Sequence, residues 1–310
     1  MSCPRHITIL CPLLGITLML AAASAPSTAS ACATCACGDP TLTVMGAQQP
    51  FEHRLRFSLE LLHRTDAVGE DNVDRLELSE QRATLGVAYA PARWLMLSAS
   101  LPVVHRELTF VSTAEERFTD VGDVELRARA FVYADRDFAP SHLLAVVAGL
   151  RMPTASLEQL EDGSYAEPEL QAGSGSWDPL LGLSYAHFAD PWSFYASEIV
   201  YLPTESRADW QLGISWLGTH AAQYQLDPSW ALRLGANSRL EQATRRAVGT
   251  GAETDEPDSG GFVLFLSPSV VFSPLTDLVL NLDVHVPVIN ALTGDHDEGV
   301  IIALGGAFDA

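Results

Sequence analysis

Apolar and polar residues alternate one by one over long stretches of this chain, a period of two rather than 3.6. Between Asp277 and Val288, Leu278, Leu280, Leu282, Val284, Val286 and Val288 fall on one side, while Asp277, Asn281, Asp283 and His285 fall on the other. Trp230, Leu232, Leu234, Ala236 and Leu240 oppose Arg233, Asn237, Arg239 and Glu241 in the same way. Val124, Leu126, Ala128, Ala130 and Val132 oppose Glu125, Arg127 and Arg129. Leu55, Phe57, Leu59 and Leu61 oppose Arg54, Arg56, Ser58 and Glu60. Strict alternation over such lengths signals strands with one apolar face. About twelve are expected, near 53–65, 73–90, 93–107, 121–134, 141–153, 177–188, 191–203, 208–218, 227–241, 261–273, 276–289 and 298–309. Two are less regular. The second changes phase around Ser79 to Ala83, which suggests a bulge, and the seventh is apolar on both faces from Phe194 to Leu202.

The connections alternate long and short. Ala90-Pro91-Ala92, Asp135 to Pro140, Ala189-Asp190-Pro191, the segment around Asp227-Pro228 and Ser273 to Thr276 are short; 66–72, 108–120, 154–176, 242–260 and 290–297 are long, with 204–207 short for its class. An up-and-down barrel in the outer membrane has this rhythm, with tight periplasmic turns and longer outer loops. A soluble sandwich has no reason for it. Trp94, Trp192 and Trp230 follow short turns, and Trp177 and Trp210 follow long loops, where aromatic girdles meet the two membrane surfaces. The expected fold class is therefore all-β, a transmembrane antiparallel up-and-down β-barrel.

The first residues read as an export signal: Arg5, an apolar run from Ile7 to Ala23, then Ala29-Ser30-Ala31 before Cys32. The expected organisation is a signal peptide over 1–31, a Cys-containing periplasmic arm over 32–52 and a barrel over 53–310, in the bacterial outer membrane. The 310 residues carry 18 Lys+Arg against 39 Asp+Glu, a formal charge of −21, and every cation is Arg. So acidic a chain lacks the basic footprint that nucleic acid requires. Its 47% hydrophobic content suits a wall that turns every second residue toward lipid.

In lipid the polar rows must line the lumen. Arg54, Arg56, Arg127, Arg129, Arg151, Arg233 and Arg239 are then inward, with Glu60, Glu125, Glu241 and Asp283. They read either as a charged lumen that selects solutes or as Arg–carboxylate pairs that fill a small barrel. Acidic residues such as Asp66, Glu70, Asp71, Glu158, Asp255 and Asp297 fall in the expected outer loops, where divalent cations could bridge them to anionic lipid headgroups. Cys32, Cys35 and Cys37 suit Cu(I), or Zn with a further ligand; a disulfide or a lipidated Cys32 are the plainer readings. The histidines are scattered and no nucleophile elbow appears, so no enzyme is expected.

Three segments resemble bacterial outer-membrane barrels named for the MetA pathway of phenol degradation: Asp120-Val-Gly-Asp-Val-Glu-Leu-Arg-Ala-Arg129, Gly149-Leu-Arg-Met-Pro-Thr154, and Gly173-Ser-Gly-Ser-Trp-Asp-Pro-Leu-Leu-Gly182. Ser267-Pro-Ser and the final hairpin are similar too. The family's Pro-Thr-Gly is Pro153-Thr154-Ala155 here, and the chain ends Phe308-Asp309-Ala310 rather than on an aromatic. Phe308 keeps the phase of Val300, Ile302 and Leu304, so it can still serve the barrel assembly machinery as a signal. The resemblance implies an exported transport barrel without a defined substrate. The expected function is a channel or transporter for small solutes, selective through the lumen rows. The alternative is a plugged barrel that anchors a metal or an assembly partner through its Cys arm.

Overall fold

The computed structural model describes residues 52–69, 75–110, 115–137, 139–159, 165, 171–208, 210–248, 252–255, 259–294 and 296–310. The signal segment, Cys32, Cys35 and Cys37 lie outside them. The strands are β1 (Leu55–Val68), β2 (Leu76–Ala92), β3 (Leu95–Phe110), β4 (Glu115–Val121), β5 (Val124–Ala134), β6 (His142–Met152), β7 (Asp178–Ala189) and β8 (Trp192–Tyr201). There follow β9 (Trp210–Gln211), β10 (Ser215–Gln225), β11 (Trp230–Glu241), β12 (Arg245–Val248), β13 (Ala252–Asp255), β14 (Gly261–Leu275), β15 (Leu278–Leu292) and β16 (His296–Asp309).

β4 and β5 both pair with β3 and act as one strand interrupted at Gly122-Asp123. Counting them together, twelve antiparallel strands follow one another around the wall. β1 closes on β16 from Arg56↔Asp309 to Val68↔His296. Closure leaves no unpaired strand edge in the wall, which a span through lipid demands. β9, β12 and β13 form a separate three-stranded sheet within the outer loops.

The alternation lies on the wall as expected. Leu59, Leu61, Leu126, Leu232, Leu282 and Leu304 are exposed on the outer face, while Arg127, Arg129, Arg233 and Asp283 are buried inside. Phe308 is exposed with Ile302 and Leu304, in the same row. Trp94, Trp192 and Trp230 ring the periplasmic side of the outer wall, and Trp177 stands exposed at the other.

Several expectations change. The eighth strand is Ser215–Gln225, not 208–218. The apolar residues Ala208, Trp210 and Leu212 pack in a loop cluster with Leu157 and Tyr165 instead. Trp210 is therefore buried, and Trp216 is the exposed girdle residue on that strand. The connection before it grows to 202–214, whereas two expected long connections, 108–120 and 290–297, shrink to 111–114 and 293–295 because their flanking strands run on, so the long–short rhythm is only partial. The second strand has no bulge at Ser79 to Ala83: its register with β1 is unbroken from Leu55↔Tyr89 to Val68↔Leu76. Polarity changes there, not phase. The outer ends of β1 to β4 carry His63, Glu77, Gln81 and Arg117 on their exposed face, so they stand above the apolar band. A true irregularity lies between Arg64 and Asp66 against β16, where the buried row shifts from His296 and Glu298 to Ile301 and Ala303. Asp66, expected in an outer loop, is a buried lumen residue because β1 runs on in phase through Leu62, Arg64 and Asp66.

Candidate functional site: the lumen and its outer closure

Inward rows from non-adjacent strands meet inside the barrel. In its outer half, Glu80 on β2 accepts hydrogen bonds from Arg64 Nη2 at 3.0 Å and Arg106 Nε at 2.7 Å. Arg82 Nη2 lies 2.6 Å from its other oxygen. Arg239 on β11 grips Glu298 on β16 with two N–H groups and lies 3.5 Å from Glu241. Arg64 reaches the same Glu298 at 3.7 Å. Two strands separate β11 from β16 in the wall, so the Arg239 pair spans the interior rather than lying along it. An apolar group of Leu62, Val263, Phe265, Ile301 and Ala303 packs inside the same part of the barrel. None of Arg64, Glu80, Arg106, Arg239 and Glu298 exposes more than 3% of its side chain.

A second network crosses the other side. Arg127 pairs with Glu125 and donates to Tyr201 Oη at 2.7 Å; Tyr201 Oη donates to Glu125 Oε2 at 2.9 Å. Arg151 donates to Asp178 at 2.7 Å, and its guanidinium lies 5.0 Å from the Tyr201 ring centre. Arg129 is buried nearby on the same row. A third set joins Arg233 to Asp283 at 2.8 Å, with Ser269 and Asn281 on the same carboxylate. His285 Nδ1 there lies 2.7 Å from Ser267 Oγ. Tyr195, Thr219, Arg233, Asn237, Asp283 and His285 line a small cavity between them. Glu60 belongs to the same stretch, within electrostatic reach of Asp283 and Arg82. At the periplasmic mouth, Arg54 meets Asp277 at 2.9 Å and Arg56 meets Asp309.

The expected lumen residues are thus all inward, but they form four groups rather than one row. Sequence reasoning missed Arg64, Glu80, Arg82, Arg106, His296 and Glu298. The phase-two signal was present at each, but they stand where strands rise beyond the apolar band and the opposite face is no longer apolar. Asp66, His296 and Glu298 bring donor atoms within 4.8 Å of one another. His296 Nε2 lies 2.7 Å from Asp66 Oδ1, and Glu298 is held by Arg239, so these groups already engage in a hydrogen bond and an Arg–carboxylate pair.

The three segments that carried the family resemblance converge on one carboxylate. Asp123 Oδ1 accepts the Ala155 N–H at 3.0 Å, and Oδ2 accepts the Ser174 N–H at 2.6 Å and its hydroxyl at 2.9 Å. Thr154 Oγ1 accepts the Val124 N–H at 2.8 Å. A Cβ at Gly173 would stand 2.5 Å from Asp123 Oδ1, so only glycine lets the segment seat there. The same segment is drawn inward by Arg106, whose Nη1 donates to the Gln171 carbonyl at 2.6 Å. Gln171 is 1% exposed. Arg207, from the next outer loop, donates to the carbonyls of Pro153 and Ala155 at 3.0 and 3.1 Å. The outer loops therefore fold onto the mouth and are pinned to it.

On the opposite side, Asp135 organises a periplasmic turn. Its carboxylate accepts the N–H groups of His142 at 2.8 Å and Ser141 at 2.7 Å, which hold it below the ordinary carboxylate range.

A closed twelve-strand barrel with an apolar outer band, aromatic girdles and a charged interior defines an outer-membrane β-barrel protein. No family model and no curated protein sequence matches the chain. Among solved structures, an outer-membrane channel from Pseudomonas putida F1 superposes with a TM-score of 0.66, at 14% identity, over 86% of this chain and 98% of that one. The translocator domain of the autotransporter NalP from Neisseria meningitidis gives 0.49, at 8% identity, over 85% and 91%. The CymD monoaromatic hydrocarbon channel gives 0.46, at 10% identity, over 90% and 99%. The likeness to an outer-membrane transport barrel expected from the sequence motifs therefore holds at the level of fold.

Proposed function

We propose that the barrel is a channel for small solutes, with selectivity set by the lumen Arg and carboxylate groups and access set by the outer loops. The observation that carries this reading is the seat of segment 171–176. It is held inside the outer mouth by side-chain hydrogen bonds to Asp123 and Arg106, contacts that can be made and released without breaking the wall. Below it the inward rows of β1, β2, β3 and β16 turn small at Ser58, Gly86, Ser98, Ser100 and Gly305, while Phe131, Leu143, Phe188 and Tyr195 pack on the other side. Paired charges of both signs along the route would favour polar solutes of small size over bulky or strongly charged ones.

Proteoliposome swelling tests this. Wild-type barrel is expected to admit small sugars and amino acids at a rate that falls with solute size. Swelling no faster than in protein-free vesicles, with heat-modifiable folding intact, would reject it. The burial of the outer-half ion pairs favours a second reading, a barrel that stays closed and serves as an anchor for its periplasmic arm. On that reading the swelling result is negative, and Cu(I) or Zn retained by the chain is lost on Cys35→Ser with Cys37→Ser.

A further inference from the structure

The lipid-facing wall is apolar over most of its band, with an interruption on β8 and β10. Glu198 points outward: Ser197, Ile199 and Tyr201 beside it fill the buried row. It stands opposite Gly218. Its Oε2 lies 3.0 Å from where a Cβ at Gly218 would be, so the carboxylate lies across the wall in the space that glycine leaves. There it meets His220 Nε2 at 2.9 Å and accepts the indole N–H of Trp216. The Glu198 and His220 side chains are 32% and 48% exposed. On β10, His220 stands midway between the girdle residues Trp216 and Tyr224, inside the apolar band. Ala196 and Ala236 are its cross-strand neighbours. The wall here is a shallow notch with an acid and an imidazole at its floor.

Hydrocarbon cannot hydrate either group, and ionisable residues inside a membrane are kept where something other than lipid meets them. Small residues let membrane-embedded walls approach closely, and polar side chains supply hydrogen bonds between them. We propose that a second copy of this chain packs on the notch. In a closed pair, two copies inserted with the same polarity are related by a two-fold axis along the membrane normal, which sets each notch against its own image at the same height. A patch carrying an acid and a base side by side is self-complementary under that axis. His220 Nδ1 has no partner among the described residues, and across the interface it meets the partner's Glu198. The lipid-facing polar groups of the lone chain then become a buried, paired set. The proposal does not depend on the channel reading, because it concerns the opposite face of the wall.

The test is photo-crosslinking in intact outer membranes, with a benzophenone-bearing phenylalanine analogue at Ala196 and, as a control, at Ala128 on the exposed face of β5. Light scattering of the wild-type barrel in mild detergent accompanies it. A self-adduct of dimer mass from position 196 only, with a dimer in detergent, is expected. Combined Glu198→Ala and His220→Ala should lower the adduct yield about tenfold while heat-modifiable folding persists, as for loss of an interhelix-type polar contact. No self-adduct from position 196, equal adducts from both positions, or an adduct only with a different protein would overturn the proposal. Should the double variant fail to fold, the comparison of the two labelled positions in the otherwise unchanged chain decides.

Discussion

The outer half of the lumen and its periplasmic mouth use the same chemistry to opposite ends. Both are built from Arg–carboxylate pairs, and both arise from polar positions spaced by two. At the mouth, Arg54 and Asp277 expose 36% and 44% of their side chains, and Arg56 and Asp309 about half as much. In the outer half, Glu80 and Glu298 expose none. Water screens the first set, whereas the side chains of the second are closed off from bulk solvent. A solvated pair contributes about 0–1 kcal/mol. A buried one, once broken, leaves a charge with no counterpart, which costs roughly 3–5 kcal/mol. Burial, not residue type, therefore decides which pairs are closure and which are lining.

The largest effect is expected at Glu80. Glu80→Gln leaves Arg64, Arg82 and Arg106 facing one another without their shared anion. Unfolding in urea, followed by tryptophan fluorescence in detergent micelles, should show a loss on the order of 3–5 kcal/mol. A change under 1 kcal/mol would mean that water enters this region freely, and the contrast with the mouth would fail. Tyr201→Phe is a sharper probe of the second network. It removes the hydroxyl that joins Arg127 to Glu125 but keeps the ring beneath Arg151. About 1–3 kcal/mol should be lost, since buried charged groups are left unsatisfied.

At the mouth the same measurement should find little. Arg54→Ala is expected to cost under about 1 kcal/mol, and to move the reversal potential toward cations, because one lumen-facing positive charge is lost while Asp277 remains. The smallest effect is one of pH. Asp135 is held below its ordinary range by the His142 and Ser141 amides, so its contribution to the turn is present at neutral pH and is lost as pH falls through the lowered value. Wild-type barrel should therefore lose slightly more stability than Asp135→Asn between neutral and strongly acid pH; identical acid profiles would remove the turn from the account.

Much of this architecture was legible because lipid makes alternation strict. β11, β15 and β16 follow their apolar rows residue by residue, and the long–short connections gave the up-and-down order. Where lipid no longer dictates the outer face, the signal fails. Glu77, Ser79 and Gln81 made β2 look out of phase, although its register is unbroken. Trp210 and Leu212 mimicked a strand because loop cores also need apolar residues. Thr219 to Gln225, beyond the end expected for the eighth strand, belongs to the wall. The eleven expected lumen residues lie inward, yet their pairing could not be read, since partners such as Arg239 and Glu298 stand 59 positions apart. Likewise, the resembling segments were visible as motifs, but only the fold brings them together on Asp123.

The central claim is that the passage exists and is closed at its outer end by a seated loop. Single-channel recording of wild type beside Asp123→Ala tests it most directly. The substitution removes the acceptor for the Ala155 and Ser174 N–H groups while leaving every wall strand its pairing. Wild type is expected to show small or brief openings, and Asp123→Ala a larger, longer-lived conductance from an equally heat-modifiable barrel. Equal conductance in the two, or none in either, would contradict the claim.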